Sequence, residues 1–233
     1  MIKSSFDLEK GLLSKGYDFV IGIDEAGRGP LAGPVVACAA ILKNYELRTC
    51  LVGRRVMNYD KKFDLVRDSK TLSEKQRESI FDFIQENFFV GIGMCGHETI
   101  DRMNILEASF LAMKKAVADL IRNKSKVESR KLKELEKIII LVDGNKKIPN
   151  FSMEQRTIVG GDKIVKSISA ASIIAKITRD RIMREMHKKY PEYGFARHKG
   201  YGTKFHMEAL KKNGLCKIHR KTFEPMKSLL KKR

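Results

Sequence analysis

Four acidic residues stand where strand ends and turns would carry them to the mouth of a sheet. Asp24 and Glu25 follow the apolar run Phe19-Val20-Ile21-Gly22-Ile23, Asp143 follows the run from Lys137 to Val142, and Asp162 sits in the turn Gly160-Gly161-Asp162 ahead of a helix. Carboxylates gathered at such ends repel one another, and the remedies are protonation or a bound cation. Hard oxygen ligands suit Mg2+ or Mn2+. Two such ions can activate water, stabilise a leaving oxygen and clamp a phosphate during in-line displacement. Asp24, Glu25, Asp143 and Asp162 are therefore candidate metal ligands for phosphodiester hydrolysis. Taken singly, each acid reads more readily as a turn or cap residue; the adjacent pair Asp24-Glu25 is the harder one to read that way.

The segments around these acids alternate between strand and helix patterns. A short amphipathic start capped by Ser5 precedes the strand at 19–23, and Gly33-Pro34 opens Val35 to Leu42, whose nearly continuous apolar run suits a strand covered on both faces. Thr71-Leu72-Ser73-Glu74 reads as a capping box, followed by Ile80, Phe81, Ile84 and Phe88 at helical spacing. Phe89 to Cys95 reads as a strand. One long helix from about Glu98 to Arg122 would align Ile100, Met103, Leu106, Phe110, Met113, Val117 and Leu120. Further strands are predicted at Lys137 to Val142 and Arg156 to Val159, and a helix from Ser167 to Lys189 that stops before Pro191. Residues 43–67 show no clear period, and the polar tract Asn123 to Glu136 reads as a solvated connection or helix extension. The order predicts an α/β fold with a mixed central sheet flanked by helices, carried by residues 1–190, with 191–233 as a small helical extension of the same domain.

Composition narrows the partner. The chain has 233 residues, 42% of them hydrophobic, as a folded protein requires, and 47 Lys and Arg against 28 Asp and Glu give a net charge of +19. Such an excess favours a polyanion, with nucleic acid the first candidate. The cysteines at 38, 50, 95 and 216 form no Cys-x-x-Cys pair, which argues against a zinc site. The first residues, MIKSSFDLEKGLLSKG, lack an apolar signal core, and the chain has no run of the roughly 18 apolar residues a membrane span needs. The expectation is a cytoplasmic protein with no membrane partner.

The stretch GIDEAGRGPLAGPVVA at 22–37 resembles the signature of ribonuclease HII. DSKTLS (68–73), NILEASFLAM (104–113), LVDGN (141–145), GDKIVKSISAASIIAKITRDR (161–181), HKGYGT (198–203) and IHRKTFEP (218–225) continue the likeness in the family's order over nearly the whole chain. The resemblance implies a ribonuclease H-like fold and two-metal hydrolysis, with Mn2+ or Mg2+, of the RNA strand of RNA/DNA hybrids and of single ribonucleotides embedded in duplex DNA. The products would carry 3′-hydroxyl and 5′-phosphate ends. Asp24 and Glu25 match the family's first acids, Asp143 the third and Asp162 the fourth.

The same likeness implies that backbone groups of Gly27, Arg28 and Gly29 approach a ribonucleotide 2′-hydroxyl, where the absence of Cβ permits close contact. It implies also that Tyr201 packs on the sugar at the RNA-to-DNA junction. Outside that context Gly27-Arg28-Gly29 reads as a tight turn and Tyr201 as an exposed turn residue. Ser69, Lys70, Lys163, Lys166 and Lys199 are candidate phosphate contacts, although a lysine in so basic a chain is usually just a solvated residue. Asp180, midway along a helix beside Arg179, Arg181 and Arg184, reads as an ion-pair partner. His198, His206 and His219 read as surface or capping residues.

Two rivals remain at this level. Ribonuclease HIII resembles the same family, but it typically carries a large N-terminal substrate-binding domain and a different residue between the two glycines. Here 23 residues precede Asp24, and Arg28 holds the middle position. A noncatalytic basic nucleic-acid-binding protein would explain the charge, but has little use for four acids at separate strand ends.

Overall fold

The computed structural model of the chain describes residues 4–43, 61–67, 72–128 and 137–231. The elements in order are α1 (Asp7–Leu13), β1 (Phe19–Ala26), β2 (Val35–Leu42), a 3-10 turn (Lys61–Leu65), α2 (Glu74–Asn87), β3 (Phe88–Cys95), α3 (His97–Met103), α4 (Ile105–Glu128), β4 (Ile138–Asp143), β5 (Glu154–Ile158), α5 (Gly161–Ile164) and α6 (Lys166–Lys189). A second 3-10 turn (Pro191–Tyr193) leads to α7 (Phe195–His198), α8 (Lys204–Asn213) and α9 (Met226–Lys231). No helix among the described residues is long and apolar enough to cross a membrane.

The five strands form one mixed sheet in the order β3-β2-β1-β4-β5. The first three strands in sequence pair antiparallel, whereas β4 runs parallel to β1 and β5 parallel to β4. This arrangement gives the predicted α/β class. Because strand side chains alternate between faces, β1 sends Phe19, Ile21 and Ile23 into a core shared with Phe110, Met113, Val117 and Leu120 of α4. The opposite face packs against α1, α2 and α6, where Phe63, Phe83, Ile84, Ile173 and Ile177 gather. α6 lies so close to the sheet that a Cβ on Gly22 would meet the Ser167 backbone at 2.3 Å. The C-terminal turns and helices wrap Leu31, Ala32 and Met183 with Tyr193, Phe195, Leu210 and Met226.

Three expectations change in detail. The predicted single helix over 98–122 is two helices, parted at Asn104, whose φ is +72° and whose side-chain oxygen accepts from the amides of Leu106 (2.9 Å) and Glu107 (3.1 Å). Asparagine tolerates positive φ and caps helices, so it both breaks one helix and starts the next. The observed capping box is Ser73 with Gln76: Ser73 Oγ accepts from the Gln76 amide (3.2 Å) and Gln76 Oε1 from the Ser73 amide (2.9 Å), while Thr71, the expected cap, lies outside the described residues. At the start, α1 is preceded by Phe6, while Ser5 bonds the Asp7 carboxylate at 2.7 Å.

Candidate active site

The acids are brought together by the parallel pairing of β1 with β4. Its register aligns Ile23 with Val142, so Asp24 and Asp143 follow at neighbouring strand ends on the α6 face of the sheet. The short helix α5 adds Asp162, and one carboxylate oxygen from each of Asp24, Asp143 and Asp162 lies within 4.8 Å of the others. The Gly161 amide donates to Asp143 Oδ1 at 2.7 Å, tying α5 to the end of β4. Glu25 alternates to the other face, where it lines a hollow with Ser109, Asp143, Asn145 and Lys146 and accepts from Arg28 at 3.2 Å.

Burial pushes the Asp24 carboxyl well above the usual carboxylate range, and the charges of Glu25 and Asp143 push it further. A hydrogen bond from Ser172 and the Glu25 amide, 2.7 Å from Asp24 Oδ1, act in the opposite direction. Metal-free, this cluster favours taking up a proton; divalent cations satisfy the same excess of negative charge without protonation. All-oxygen carboxylate donors fit Mg2+ or Mn2+.

Beside the acids, the turn after β1 meets the loop that carries Tyr201. Gly27 has φ +102°, and a Cβ there would lie 2.2 Å from Arg179 Nε. A Cβ on Gly29 would sit 3.7 Å from the Tyr201 ring, so the two are direct neighbours. Tyr201 is 44% exposed, with the Arg179 guanidinium 5.9 Å and the Lys176 ammonium 6.0 Å from its ring centre. An anionic cluster, a glycine turn and an open aromatic ring thus share one mouth of the sheet.

Comparison with known proteins agrees with this geometry. The family model for ribonuclease HII matches residues 21–226. The chain belongs to the ribonuclease HII family. It is 48% identical over 208 residues to a ribonuclease HII from Fusobacterium nucleatum subsp. nucleatum, covering 89% of this chain and 86% of that one. A ribonuclease HII from Endomicrobium trichonymphae is 43% identical over 231 residues, covering 99% and 97%. The crystal structure of ribonuclease H2 from Pyrococcus horikoshii OT3 superposes with a TM-score of 0.64 at 26% identity, covering 92% of this chain and 98% of that one. The fold is therefore ribonuclease H-like, and the protein is an endoribonuclease, a ribonuclease H hydrolase.

The candidate phosphate contacts sort differently. Lys163 is exposed on α5. Lys166 is 1% exposed, and its ammonium donates to the carbonyls of Phe63 (2.8 Å) and Val66 (3.0 Å), anchoring the 3-10 turn against α6. An ammonium spent on two buried carbonyls does not reach a phosphate, so Lys166 is a structural residue. Lys199 is also buried, in a left-handed backbone conformation, and donates to the Ala196 carbonyl with Glu74 at 3.5 Å. Ser69 and Lys70 lie outside the described residues. Asp180 is buried and pairs with Lys176 at 2.7 Å, not with the neighbouring arginines.

The histidines are not at the surface. His198, His206 and His219 are all buried, in contact with Phe195. The Cys216 amide donates to His219 Nδ1 (2.9 Å), which leaves the proton on Nε2, 3.0 Å from His206 Nε2. His206 Nδ1 then donates to the Tyr201 carbonyl at 2.9 Å. Burial pushes both His206 and His219 down to about 4, so this chain is neutral and holds the backbone of Tyr201.

Sequence reading missed two arginines beneath the turn. Arg179 donates to the carbonyls of Pro34 (3.0 Å) and Ala32 (3.2 Å), and Arg220 to those of Gly33 (3.0 Å), Arg28 (2.9 Å) and Gly27 (2.6 Å). Both lie in quoted motifs, TRDR and IHRKTFEP, but nothing in residue type alone tells an inward arginine from a solvated one.

Proposed function

We propose that the protein cleaves the RNA strand of RNA/DNA hybrids, and DNA duplexes at single embedded ribonucleotides, leaving 3′-hydroxyl and 5′-phosphate ends. The observation that carries this reading is the meeting of the Asp24, Asp143 and Asp162 carboxylates with the Gly27-Arg28-Gly29 turn and Tyr201 at one mouth of the sheet. One part has the donor set for hydrolysis, and the other has open backbone and an aromatic face for a ribose and its neighbouring deoxyribose.

Asp24, Asp143 and Asp162, with Glu25 beside them, would hold two divalent ions, Mn2+ or Mg2+. When bound, such ions polarise the phosphate, lower the pKa of water and stabilise the leaving oxygen. The chain itself orients the ligands: the Gly161 amide fixes Asp143, and the Glu25 amide fixes Asp24. Tyr201 offers its exposed ring to the sugar on the deoxy side of the junction. Lys163 and the chain's charge of +19 supply sequence-independent attraction to the duplex backbone.

The test is cleavage of three labelled duplexes: an RNA/DNA hybrid, a DNA duplex with one ribonucleotide, and the all-DNA duplex. The expected result is cutting of the first two with Mn2+ or Mg2+, none with EDTA, and none of the third. Cutting of the hybrid alone would favour a ribonuclease HIII-like specificity and overturn the second half of the reading. Binding without cleavage would overturn it entirely.

A further inference from the structure

Arg220 is 0% exposed, yet among the described residues its guanidinium has no carboxylate in its hydrogen-bonding set; it is spent on three carbonyls of one turn. Burying a guanidinium is expensive, and here the cost is offset by donors to three backbone carbonyls that no apolar side chain could satisfy. What the arginine supplies that an apolar side chain cannot is direction. The peptides joining Gly27 to Arg28 and Arg28 to Gly29 are trans, and in a trans peptide the C=O and N–H point opposite ways. With the Gly27 carbonyl drawn onto Arg220 Nη2, the Arg28 amide N–H is turned away from the guanidinium. With the Arg28 carbonyl drawn onto Nη1, the Gly29 N–H is turned away as well. Two consecutive donors are thereby turned away from Arg220, and Tyr201 lies against the second of the two residues, Gly29.

The arginine is itself held against the turn it orients. The Arg220 amide donates to the Leu31 carbonyl at 2.9 Å, and the Gly33 amide donates to the Ile218 carbonyl at 3.0 Å. The adjacent residue, His219, continues through His206 to the Tyr201 carbonyl. Leu31 bonds the same loop from the other side, its amide donating to the Gly200 carbonyl at 2.8 Å. Residues 218–220 therefore tie the turn and the tyrosine loop together from below.

We propose that Arg220 is a positioning residue for recognition of the ribose 2′-hydroxyl: by holding the Gly27 and Arg28 carbonyls inward, it presents the Arg28 and Gly29 N–H groups to that oxygen. The proposal rests on the substrate reading above, and its test separates the two. Binding is measured by fluorescence anisotropy in EDTA, where strands stay intact, on a duplex with one ribonucleotide and on the matching all-deoxy duplex. The proteins are the full chain and its Arg220→Met and Arg220→Lys variants, each checked by thermal melting.

The unsubstituted protein should favour the ribonucleotide duplex about tenfold, the discrimination expected of one or two neutral hydrogen bonds. Arg220→Met should bring that ratio close to one while leaving affinity for the all-deoxy duplex nearly unchanged, which a merely structural residue would not do. Arg220→Lys keeps the charge but loses the fork, so it should restore only part of the ratio. If the Met variant does not fold, the Lys variant decides: a reduced ratio supports the role, and an unreduced one overturns it. A ratio preserved in Arg220→Met, or both affinities falling by one common factor, would also overturn it. If the unsubstituted protein shows no preference, it is the substrate reading that fails.

Discussion

Replacing Asp143 by Asn should abolish cleavage and at the same time make the metal-free protein more stable. The three clustered carboxylates approach within 4.8 Å, and a fully ionised pair at that distance repels by about 3 kcal/mol at an effective dielectric near 20. Asp24 already sheds part of this by holding its proton more tightly. Removing the Asp143 charge should therefore recover roughly 1–2 kcal/mol, a Tm rise of about 2–8 °C for a domain of this size. The Asn side-chain oxygen can still accept from the Gly161 amide, so the tether of α5 to β4 survives. With Mn2+ added, the order should reverse, because saturation at 100 times Kd stabilises the unsubstituted protein by about 2.7 kcal/mol and the variant by much less. Cleavage of a hybrid should fall by about a thousandfold or more, equivalent to roughly 4 kcal/mol of lost transition-state stabilisation. Thermal melts in EDTA and across a Mn2+ titration, with cleavage on the same preparations, measure all three. A variant that melts below the unsubstituted protein in EDTA, or that cleaves at a comparable rate, would refute the electrostatic reasoning.

Tyr201→Ala should lower cleavage at a single ribonucleotide by about 10- to 100-fold, the range of one lost aromatic stack, while Mn2+ affinity read by calorimetry stays put. Equal turnover on that duplex at subsaturating substrate would return Tyr201 to an ordinary turn residue. Lys166→Met should cost about 3 kcal/mol of stability, since two buried carbonyls lose a charged donor, yet leave duplex affinity of the folded protein unchanged. His206 and His219 are held near 4, below the ordinary 6.5, so their contribution to stability is complete above 6.5 and is lost as pH falls through about 4. Titration of either ring near 6.5 by NMR would contradict the buried neutral chain. Duplex affinity should fall steeply between about 50 and 200 mM salt, and a flat response would remove the phosphate-contact role of the net charge.

The elements that hold the acids were legible because their signals are local. Apolar runs ending on Asp24 and Asp143 read as strands, and both strand ends turn up side by side because β1 and β4 pair in parallel register. The break at Asn104 escaped because apolar periodicity continues across it; only the asparagine's left-handed backbone parts the helices. Motif likeness extended the reading from strands to a family and to Tyr201. It gave no way of telling Lys163, which faces solvent, from Lys166 three residues on, whose ammonium is buried against two carbonyls. The difference is that Lys163 lies on α5 whereas Lys166 opens α6, where that helix is packed against the 3-10 turn, a tertiary quantity.

What stayed hidden is the support beneath the turn, and the reason is physical. A buried polar group is recognised by its partners, and the partners of Arg179, Arg220, His206 and His219 are mostly backbone atoms, which carry no residue identity. Arg220 reaches carbonyls more than 180 residues away in sequence, and the same would be true whatever side chains those residues bore. Backbone partners also explain why substitution there should be unforgiving. A side-chain partner can be exchanged together with its mate, whereas the carbonyls of Gly27, Arg28 and Gly33 cannot be removed and would be left unsatisfied if the guanidinium were lost. On the proposed reading, the acids would make the hydrolysis available. The direction of two amides, set from below by one arginine, is what would let the enzyme tell a ribonucleotide from its deoxy neighbour.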